Sequence, residues 1–322
     1  MKIRENMLIK FVRTAHGVSR NSIHSYSNKF SRHDFTQHQL LSLLCLKERM
    51  NKHYRDFIEE LELMPRVVKI LGLKKIPHFT TLQKFFKRIS SFLLEKVLTQ
   101  TVKLFDIDDA WIAIDGTGHS SSYASLYYAK KLKKQKKRRR KNYTKNQIAV
   151  DTESQAIVAH RVAKGPRHDS RDAIPLIRKS YRTVKTSGYS MDKAYDKEGI
   201  HKVVMEEAKA ESMIPLRKRA KKGKYRLKML EEFDEKKYHR RSLVETVFSV
   251  EKRVFGDVNY SRSNRLRNKE SKLRNICYNI YRYVRFFTLE ILKDFYIAIN
   301  LTIYSLPGFP PTSDLGWKPP QS

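Results

Sequence analysis

Four polar residues fall on one face of a helix that the sequence predicts over residues 238–252. At about 100° per residue, Tyr238, Arg241, Glu245 and Lys252 lie within an arc of roughly 60°. The opposite side is apolar and includes Leu243, Val244, Val247, Phe248, Val250, Val254 and Phe255. These polar groups can bind a cation and phosphate, but they can equally form a solvated helix surface on which Arg241 and Glu245 pair. The spacing leaves both interpretations open.

Two aspartates follow short apolar segments that the sequence predicts to be buried strands. Residues 111–115 read W-I-A-I-D and precede a G-T-G segment, and residues 189–192 read Y-S-M-D. A carboxylate at the end of a buried strand is costly to bury unless it is paired or bound to a metal ion. Asp115 and Asp192 are therefore candidate catalytic and metal-binding residues, as is Glu245.

The elements that must bring these residues together follow one another as strand, strand, strand, helix, strand, helix, strand, helix. The predicted strands cover residues 111–115, 147–151, 156–162, 189–192 and 211–216. This order resembles the ribonuclease H-like fold, a mixed five-stranded sheet flanked by helices. In that fold the first and fourth strands end side by side, so Asp115 and Asp192 would converge, and the last helix would bring Glu245 to them. We therefore predict an α/β catalytic domain of this class over residues 106–305.

An all-α domain over residues 1–105 is predicted to precede the catalytic domain. Its first part, residues 1–30, shows little periodicity and is predicted to be a loosely ordered arm. Thr36 and Gln39 then have the spacing of a capping box, which predicts the start of a helix.

A later helix of this domain, over residues 80–90, is a candidate DNA-reading element. It carries Lys84, Lys87 and Arg88 beside apolar residues. With the helix before it, it forms either a helix-turn-helix or part of an ordinary helical bundle, because the connecting loop is longer than the usual turn. The sequence does not decide between the two.

The chain is strongly basic. Its 322 residues include 67 Lys and Arg against 33 Asp and Glu, a net charge of +34. Such a surplus predicts a polyanionic partner, of which nucleic acid is the commonest, but it also suits ribosomal and membrane-surface proteins. The charge is densest in residues 130–141, K-K-L-K-K-Q-K-K-R-R-R-K. Such a run is typical of a solvated loop and can also contact phosphates without reading sequence. The candidate DNA-binding residues of this run are Lys136, Lys137, Arg138, Arg139 and Arg140.

The remaining composition indicates the cellular setting. Cys45 and Cys277 are the only cysteines and lack metal-ligand spacing, so we expect a reducing, cytoplasmic environment. We expect no secretory signal and no membrane partner, because even the most apolar C-terminal segment, residues 286–306, contains three charged residues. Residues 306–322 are Pro-rich, which is typical of a disordered tail or a docking peptide.

These motifs resemble those of the insertion-sequence DDE transposases in the superfamily with a Y-(2)-R-(3)-E-(6)-K signature. Here all three intervals match, and the signature residues are Tyr238, Arg241, Glu245 and Lys252. The first acidic motif is I-D-G-T-G around Asp115, and the second is D-K-A-Y-D over residues 192–196. The resemblance covers roughly residues 107–285 and extends more weakly to the N-terminal helices.

The resemblance implies a DNA transposase that binds the ends of its mobile element and performs metal-dependent strand cleavage and transfer. Two Mg²⁺ ions, with Mn²⁺ as a substitute, would be held by carboxylate oxygens. Asp115 would bridge both ions, Asp192 would bind one, and Glu245 the other.

The resemblance also implies the partners. Arg241 and Lys252 would hold phosphates of the element end, and Tyr238 would stack on or hydrogen-bond to DNA near the cut. The partner would be double-stranded DNA, both as element end and as target. The protein would form a homodimer in the DNA complex and would associate with the nucleoid.

Four further titratable residues lie near the acidic motifs. His119 and His168 can move protons, but an isolated histidine is more often structural, and we expect that role for both. Asp169 and Asp196 are expected to be a helix cap and a partner of the metal ligands, and neither is expected to bind metal.

Two other functions stay open. The chain can be a transposase-derived DNA-binding protein without catalysis, although the three retained carboxylates argue against this. It can also be a basic RNA-associated protein, although it lacks an RNA-binding signature. Metal-dependent nicking of a DNA end distinguishes these possibilities.

Overall fold

The computed structural model describes residues 5–121, 143–217 and 222–304, with residues 287–304 described by their backbone alone. The α-helices are α1 (Met7–Ser22), α2 (Gln37–Met50), α3 (Tyr54–Glu62), α4 (Pro65–Ile70), α5 (Phe79–Arg88), α6 (Ser91–Val102), α7 (Ser170–Thr183), α8 (Glu198–Lys202), α9 (Lys224–Glu231), α10 (Glu235–His239), α11 (Ser242–Phe255) and α12 (Asn264–Tyr304). The strands are β1 (Ala110–Ser121), β2 (Thr144–Asp151), β3 (Ile157–Lys164), β4 (Thr186–Met191), β5 (Glu211–Met213) and β6 (Val258–Asn259). The basic run, residues 130–141, and the Pro-rich tail, residues 306–322, lie outside the described residues.

Five of these strands form a mixed sheet in the order β3-β2-β1-β4-β5. β2 pairs antiparallel with both β1 and β3, whereas β4 pairs parallel with both β1 and β5. The short β6, which the sequence did not predict, pairs in parallel with the last residues of β1. The predicted order of elements and the mixed sheet flanked by helices are confirmed.

β1 is longer than the sequence predicted. We expected it to end at Asp115, but the antiparallel ladder with β2 continues to the pair His119 and Thr144. The parallel ladder with β4 stops earlier, at the pair Ile114 and Met191. Asp115 therefore lies inside β1, at the point where its parallel neighbour leaves the sheet.

Alternate residues of β1 face two hydrophobic cores. Ala113 belongs to a core that also contains residues of the N-terminal helices, α11 and α12. Ile112 and Ile114 belong to a second core, which includes residues of α7 and α8. Because side chains alternate along a strand, the odd-numbered residues of β1 face α11, and the sheet is covered on both sides.

The N-terminal helices are built into the first core. Its buried residues come from α1, α2, α3, α5 and α6 and also from the two helices that follow the sheet, as illustrated by Phe11, Leu41, Phe57, Leu82, Leu94, Val247 and Ile276. Removing residues 1–105 would expose the buried faces of α11 and α12 to solvent. Packing against the helices that precede the sheet therefore helps to position α11.

α1 corrects the prediction of a loosely ordered arm. Its buried positions include Phe11, Val12, Ala15 and Val18, which follow the spacing of one helix face. The stripe is narrow and is interrupted by polar residues, so it did not stand out in the sequence. Apolar residues of the other helices complete its packing, which local periodicity does not reveal.

Two predictions about the N-terminal helices have different outcomes. The capping box of α2 is confirmed, since the Gln39 backbone N–H donates to Thr36 Oγ1 at 3.1 Å and the Thr36 N–H donates to Gln39 Oε1 at 2.8 Å. Lys84, Lys87 and Arg88 are exposed on α5, and their role in reading DNA stays a prediction. Within the described part of the chain, no helix has the length and apolar character needed to cross a membrane.

Candidate active site

The segment that carries Tyr238 and Glu245 is two helices, and the predicted continuous helix is wrong. α10 ends before residue 240 and α11 begins at residue 242. Between them the backbone N–H groups of Arg241, Leu243 and Val244 each donate to the carbonyl three residues earlier, at 3.0, 3.1 and 3.1 Å. This tighter turn places Tyr238 on α10 and Glu245 in the first turn of α11.

Arg241 lies between two acidic motifs. Its Nη1 is 3.2 Å from Glu245 Oε1 and 3.5 Å from Asp115 Oδ2. Burial alone would lower the pKa of Arg241, but the neighbours Tyr238, Asp115, Glu245 and Asp192 outweigh burial and raise it. The pairing expected for an ordinary helix surface therefore exists, and the same guanidinium also joins α11 to β1.

Asp115 and Asp192 are held at the edge where β1 and β4 separate. Each follows the last pair of the parallel ladder. Asp115 Oδ1 accepts from the Gly116 N–H at 2.7 Å, and Asp192 Oδ1 accepts from the Lys193 N–H at 2.6 Å. Burial raises the pKa of Asp115, and the negative charges of the nearby Asp169 and Asp192 raise it further. The Gly116 N–H and Arg241 lower this pKa, but they do not outweigh the other effects.

The third carboxylate is less constrained. The Glu245 side chain is 60% exposed, against 25% for Asp115. Two carboxylates are thus fixed by the sheet, whereas the one on α11 can change rotamer without disturbing the core.

A polar network beside Asp115 was not predicted from the sequence. On the face of β1 opposite α11, Lys145 pairs with Asp169. Gln147 Nε2 donates to Asp169 Oδ1 at 3.2 Å and to the hydroxyl of the buried Tyr195 at 2.9 Å. Burial raises the pKa of Tyr195, with contributions from Asp169, Asp115 and Asp192. The network therefore connects β2, the start of α7 and the motif that follows Asp192.

Asp169 is not the helix cap that we expected. It occupies the N-cap position of α7, but its side chain makes no capping hydrogen bond and bonds instead to Lys145 and Gln147. One feature of the sequence points to this network: Lys145 and Gln147 are two residues apart on one strand, so both must face the same side. That side is the one on which α7 begins.

Asp196 belongs to a buried ion pair with Arg226 rather than to the group of three carboxylates. It is 3% exposed, and it accepts from Arg226 Nε at 2.7 Å and from the Arg217 N–H at 2.8 Å. Burial would raise the pKa of Asp196, but Arg226 and Arg217 outweigh it and lower the pKa. Asp196 fixes the loop after β5, and the prediction that it supports the metal ligands remains untested.

The two histidines make structural contacts. His119 is fully buried, with Nδ1 at 2.9 Å from Ser271 Oγ and Nε2 at 3.6 Å from an oxygen of the equally buried Glu251. His168 Nδ1 lies 2.9 Å from Ser170 Oγ. Both agree with the structural role that we expected.

Of the remaining predicted DNA-binding residues, Lys252 lies apart from the carboxylates. Lys252 is half-buried in the last turn of α11, about 10 Å along the helix axis from Glu245 at 1.5 Å per residue. In the part of the chain that the structure covers, it forms no ion pair with the site carboxylates. Residues 136–140 fall outside the described ranges.

The candidate site is a group of carboxylates at the edge of the sheet, beside the guanidinium group of Arg241. Among residues 5–121, 143–217 and 222–286, no group of three His, Cys, Asp or Glu side chains is arranged to hold a metal ion. Instead, Arg241 lies between the carboxylates of Asp115 and Glu245, and Asp192 follows β4 alongside Asp115.

The family model described as "Transposase DDE domain" matches residues 106–280, more than half of the chain. The chain belongs to this family. The match begins just before β1 and ends within α12, so it includes all three acidic motifs of this DDE transposase.

Two individual proteins are also similar to this transposase. An uncharacterised protein of Aquifex aeolicus (strain VF5) is 27% identical over 320 residues, which cover 94% of this chain and 92% of that protein. The cryo-EM structure of a piggyBac transposase synaptic complex with hairpin DNA superimposes with a TM-score of 0.39 at 11% identity, covering 98% of this chain and 86% of that one.

Proposed function

We propose that this chain is an insertion-sequence transposase that binds the ends of its element and performs metal-dependent DNA strand cleavage and transfer. The observation that carries the proposal is the convergence on Arg241. Its guanidinium contacts Asp115 of β1 and Glu245 of α11, and Asp192 follows the strand paired with β1. Three carboxylates from distant parts of the chain thus meet at one sheet edge in a protein of net charge +34.

The fold supports the proposal. The strand order and directions are those expected of a ribonuclease H-like sheet, and we assign the catalytic domain of residues 106–305 to that class. The N-terminal residues, 1–105, would recognise the element ends through α5. The intervals of Tyr238, Arg241, Glu245 and Lys252 support membership of the Y-R-E-K superfamily.

The donor set suits Mg²⁺, with Mn²⁺ as a substitute, because hard cations prefer carboxylate oxygens. Burial and neighbouring negative charge raise the pKa of Asp115, and a bound cation relieves both effects. Asp115 would contact both of two ions, Asp192 one and Glu245 the other. When bound, the ions would stabilise the attacking and leaving oxygens at phosphorus.

The other site residues would act on the DNA. Arg241 would release the carboxylates and hold a phosphate, because a guanidinium binds phosphate and carboxylate by the same fork of donors. Tyr238 would stack on or hydrogen-bond to a nucleotide near the cut, and Lys252 would hold a phosphate further along α11. Element ends and target would both be double-stranded DNA, bound by a homodimer.

The test uses Asp115→Asn, Asp192→Asn and Glu245→Gln, each in the full-length chain. Each should lower the rate of strand cleavage in Mg²⁺ by roughly two to four orders of magnitude, because several kcal/mol of transition-state stabilisation is lost. DNA binding, measured by a mobility shift, should persist. Glu207→Gln is the matched control, since Glu207 is an exposed carboxylate paired with Arg178 on another surface.

The outcomes separate the alternatives. A wild-type chain that binds DNA but does not cut it with Mg²⁺ or Mn²⁺ is the catalytically silent protein. A chain that prefers RNA to DNA ends is the RNA-associated protein. Near-wild-type cutting by any one of the three variants removes that residue from the site.

A further inference from the structure

Odd-numbered residues of β1 contact the α10–α11 region at three points. Trp111 lies near Lys237 and Arg240, whose side chains are 5.2 and 5.4 Å from the indole ring centroid. Asp115 meets Arg241, and His119 meets the buried Glu251. The middle contact belongs to the proposed active site, so the outer two determine how α10 and α11 lie against it.

The contact at Trp111 is a hydrogen-bonded relay through three elements. Trp111 Nε1 donates to Ser190 Oγ at 2.8 Å, and Ser190 Oγ donates to the Lys237 carbonyl at 2.7 Å. An indole N–H can only donate, so Ser190 must accept from it and direct its own proton to Lys237. The relay therefore has one possible direction.

Each residue of the relay is close to a proposed catalytic motif. Trp111 is on β1, four residues before Asp115. Ser190 is on β4, two residues before Asp192. The Lys237 carbonyl is on α10, next to Tyr238, so the relay joins the two strands that precede Asp115 and Asp192 to the helix that carries Tyr238.

The surroundings of the relay leave little freedom. Ser190 is fully buried and Trp111 is 7% exposed. The ring lies against the backbone of Gly188, where a Cβ atom would collide with the indole carbons. Because the ring is in contact with Gly188 of the sheet and also with Lys237 and Arg240, its N–H is held at a fixed place.

We infer that Ser190 and Trp111 are positioning residues that set where Tyr238 and Arg241 stand relative to Asp115 and Asp192. This inference rests on the proposed function. α10 has only five residues, too few to fix its own direction, and a helix this short needs tertiary contacts to form. The relay supplies such a contact at the carbonyl next to Tyr238.

The test compares Ser190→Ala, which removes the central hydroxyl, and Trp111→Phe, which keeps an aromatic ring but removes the N–H. Both should lower kcat for Mg²⁺-dependent cleavage of an element end by roughly 10- to 100-fold, as is typical when groups supporting a site are lost. KM for DNA should stay within about two-fold of wild type, because affinity is dominated by many phosphate contacts.

The control is Ser212→Ala. Ser212 is equally buried on β5, and its hydroxyl lies 3.0 Å from His201 Nδ1. Ser212→Ala therefore loses one buried hydrogen bond, and the partner His201 reaches Asp196, at 3.5 Å, rather than one of the three site carboxylates. If general loosening of the sheet were responsible, Ser212→Ala would lower kcat as much as Ser190→Ala.

A second measurement needs neither DNA nor metal. In a Trp317→Phe background, Trp111 is the only tryptophan of the chain, so its fluorescence reports on the relay directly. Ser190→Ala should shift the emission maximum, whereas Ser212→Ala should not. An unchanged maximum in Ser190→Ala overturns the relay whether or not the enzyme is active.

The cleavage assay tests the catalytic consequence. A wild-type chain that does not cut overturns the proposed function and the catalytic half of this inference. A cutting wild type with Ser190→Ala at the wild-type kcat overturns the inference alone. A shifted emission maximum together with a kcat loss confined to the relay variants supports it.

Discussion

Gly116→Ala tests whether the network beside Asp115 holds the site in place. A Cβ atom at residue 116 would lie 2.9 Å from Gln147 Cγ, 3.0 Å from Asp169 Oδ1 and 3.2 Å from Lys145 Cε. Ordinary contacts between carbon atoms are about 3.5–4.0 Å, so Gln147 must move by roughly 0.6 Å or more. Its amide also donates to Tyr195, so the movement reaches the segment after Asp192.

The expected result follows from the size of that displacement. A misplacement of this order should lower the cleavage rate in Mg²⁺ by roughly 10- to 100-fold. Crowding of a packed site should also lower the free energy of unfolding by about 1–3 kcal/mol. A timed cleavage assay on a labelled element end, beside a urea denaturation curve, measures both.

Gly118→Ala is the matched control for Gly116→Ala. A Cβ atom there would be crowded to the same degree, at 3.0 Å, but against the Tyr143 ring. It should therefore show the stability loss without the large loss of rate. If Gly116→Ala cuts at the wild-type rate, or if the two variants lose the same activity, the network does not position the site.

The remaining predictions concern acid stability and DNA contacts. Glu95 of α6 binds Lys179 at 2.8 Å and Lys272 at 2.5 Å. Burial would raise the pKa of Glu95, but His160, Lys272 and Lys179 outweigh it and lower the pKa. The stabilisation by the Glu95 carboxylate is then fully present above the unfolded pKa near 4.3 and is lost as the pH falls through the folded pKa. In urea denaturation curves, Glu95→Gln should therefore cost roughly 2–3 kcal/mol of unfolding free energy at pH 7 and progressively less in acid. An equal cost at pH 7 and in acid refutes this prediction. Replacing Lys136, Lys137, Arg138, Arg139 and Arg140 with Gln should flatten the dependence of log affinity on log salt by up to about four or five units while end preference survives. Replacing Lys84, Lys87 and Arg88 with Ala should reduce the preference for element ends over random DNA, and an unchanged preference places sequence reading elsewhere.

The sequence predicted the parts of the fold that local patterns encode. Apolar segments and their order indicated the strands of the sheet, and the capping box marked the start of α2. The two aspartate motifs were placed on the right strands because each follows an apolar segment of strand-like character. The grouping of Asp115, Asp192 and Glu245 into one site rested on the order of the elements and on the resemblance to transposases, and it stays a prediction.

Features decided by tertiary contacts could not be predicted in this way. Residues 240 and 241 have helical backbone angles, so nothing local indicates a break between α10 and α11. The break accompanies the contacts of Lys237 and Arg240 with Trp111, which are remote in sequence. Asp169 likewise has the sequence position of a helix cap. Its side chain pairs instead with Lys145, a contact that is remote in sequence.

The position of the site follows from a gap along one edge of β1. On that edge, the ladder with β4 ends at Ile114 and the ladder with β6 begins at Ser120. In the described strands, residues 115–119 thus have a sheet neighbour on the β2 side only, over roughly 16 Å at 3.3 Å per residue. Arg241 and Glu251 of the α11 region meet β1 at the two ends of this gap, at Asp115 and His119. A strand that continued from β4 would fill the space that the proposed active site and its DNA strand would require, so the early end of β4 is what leaves room for the proposed site.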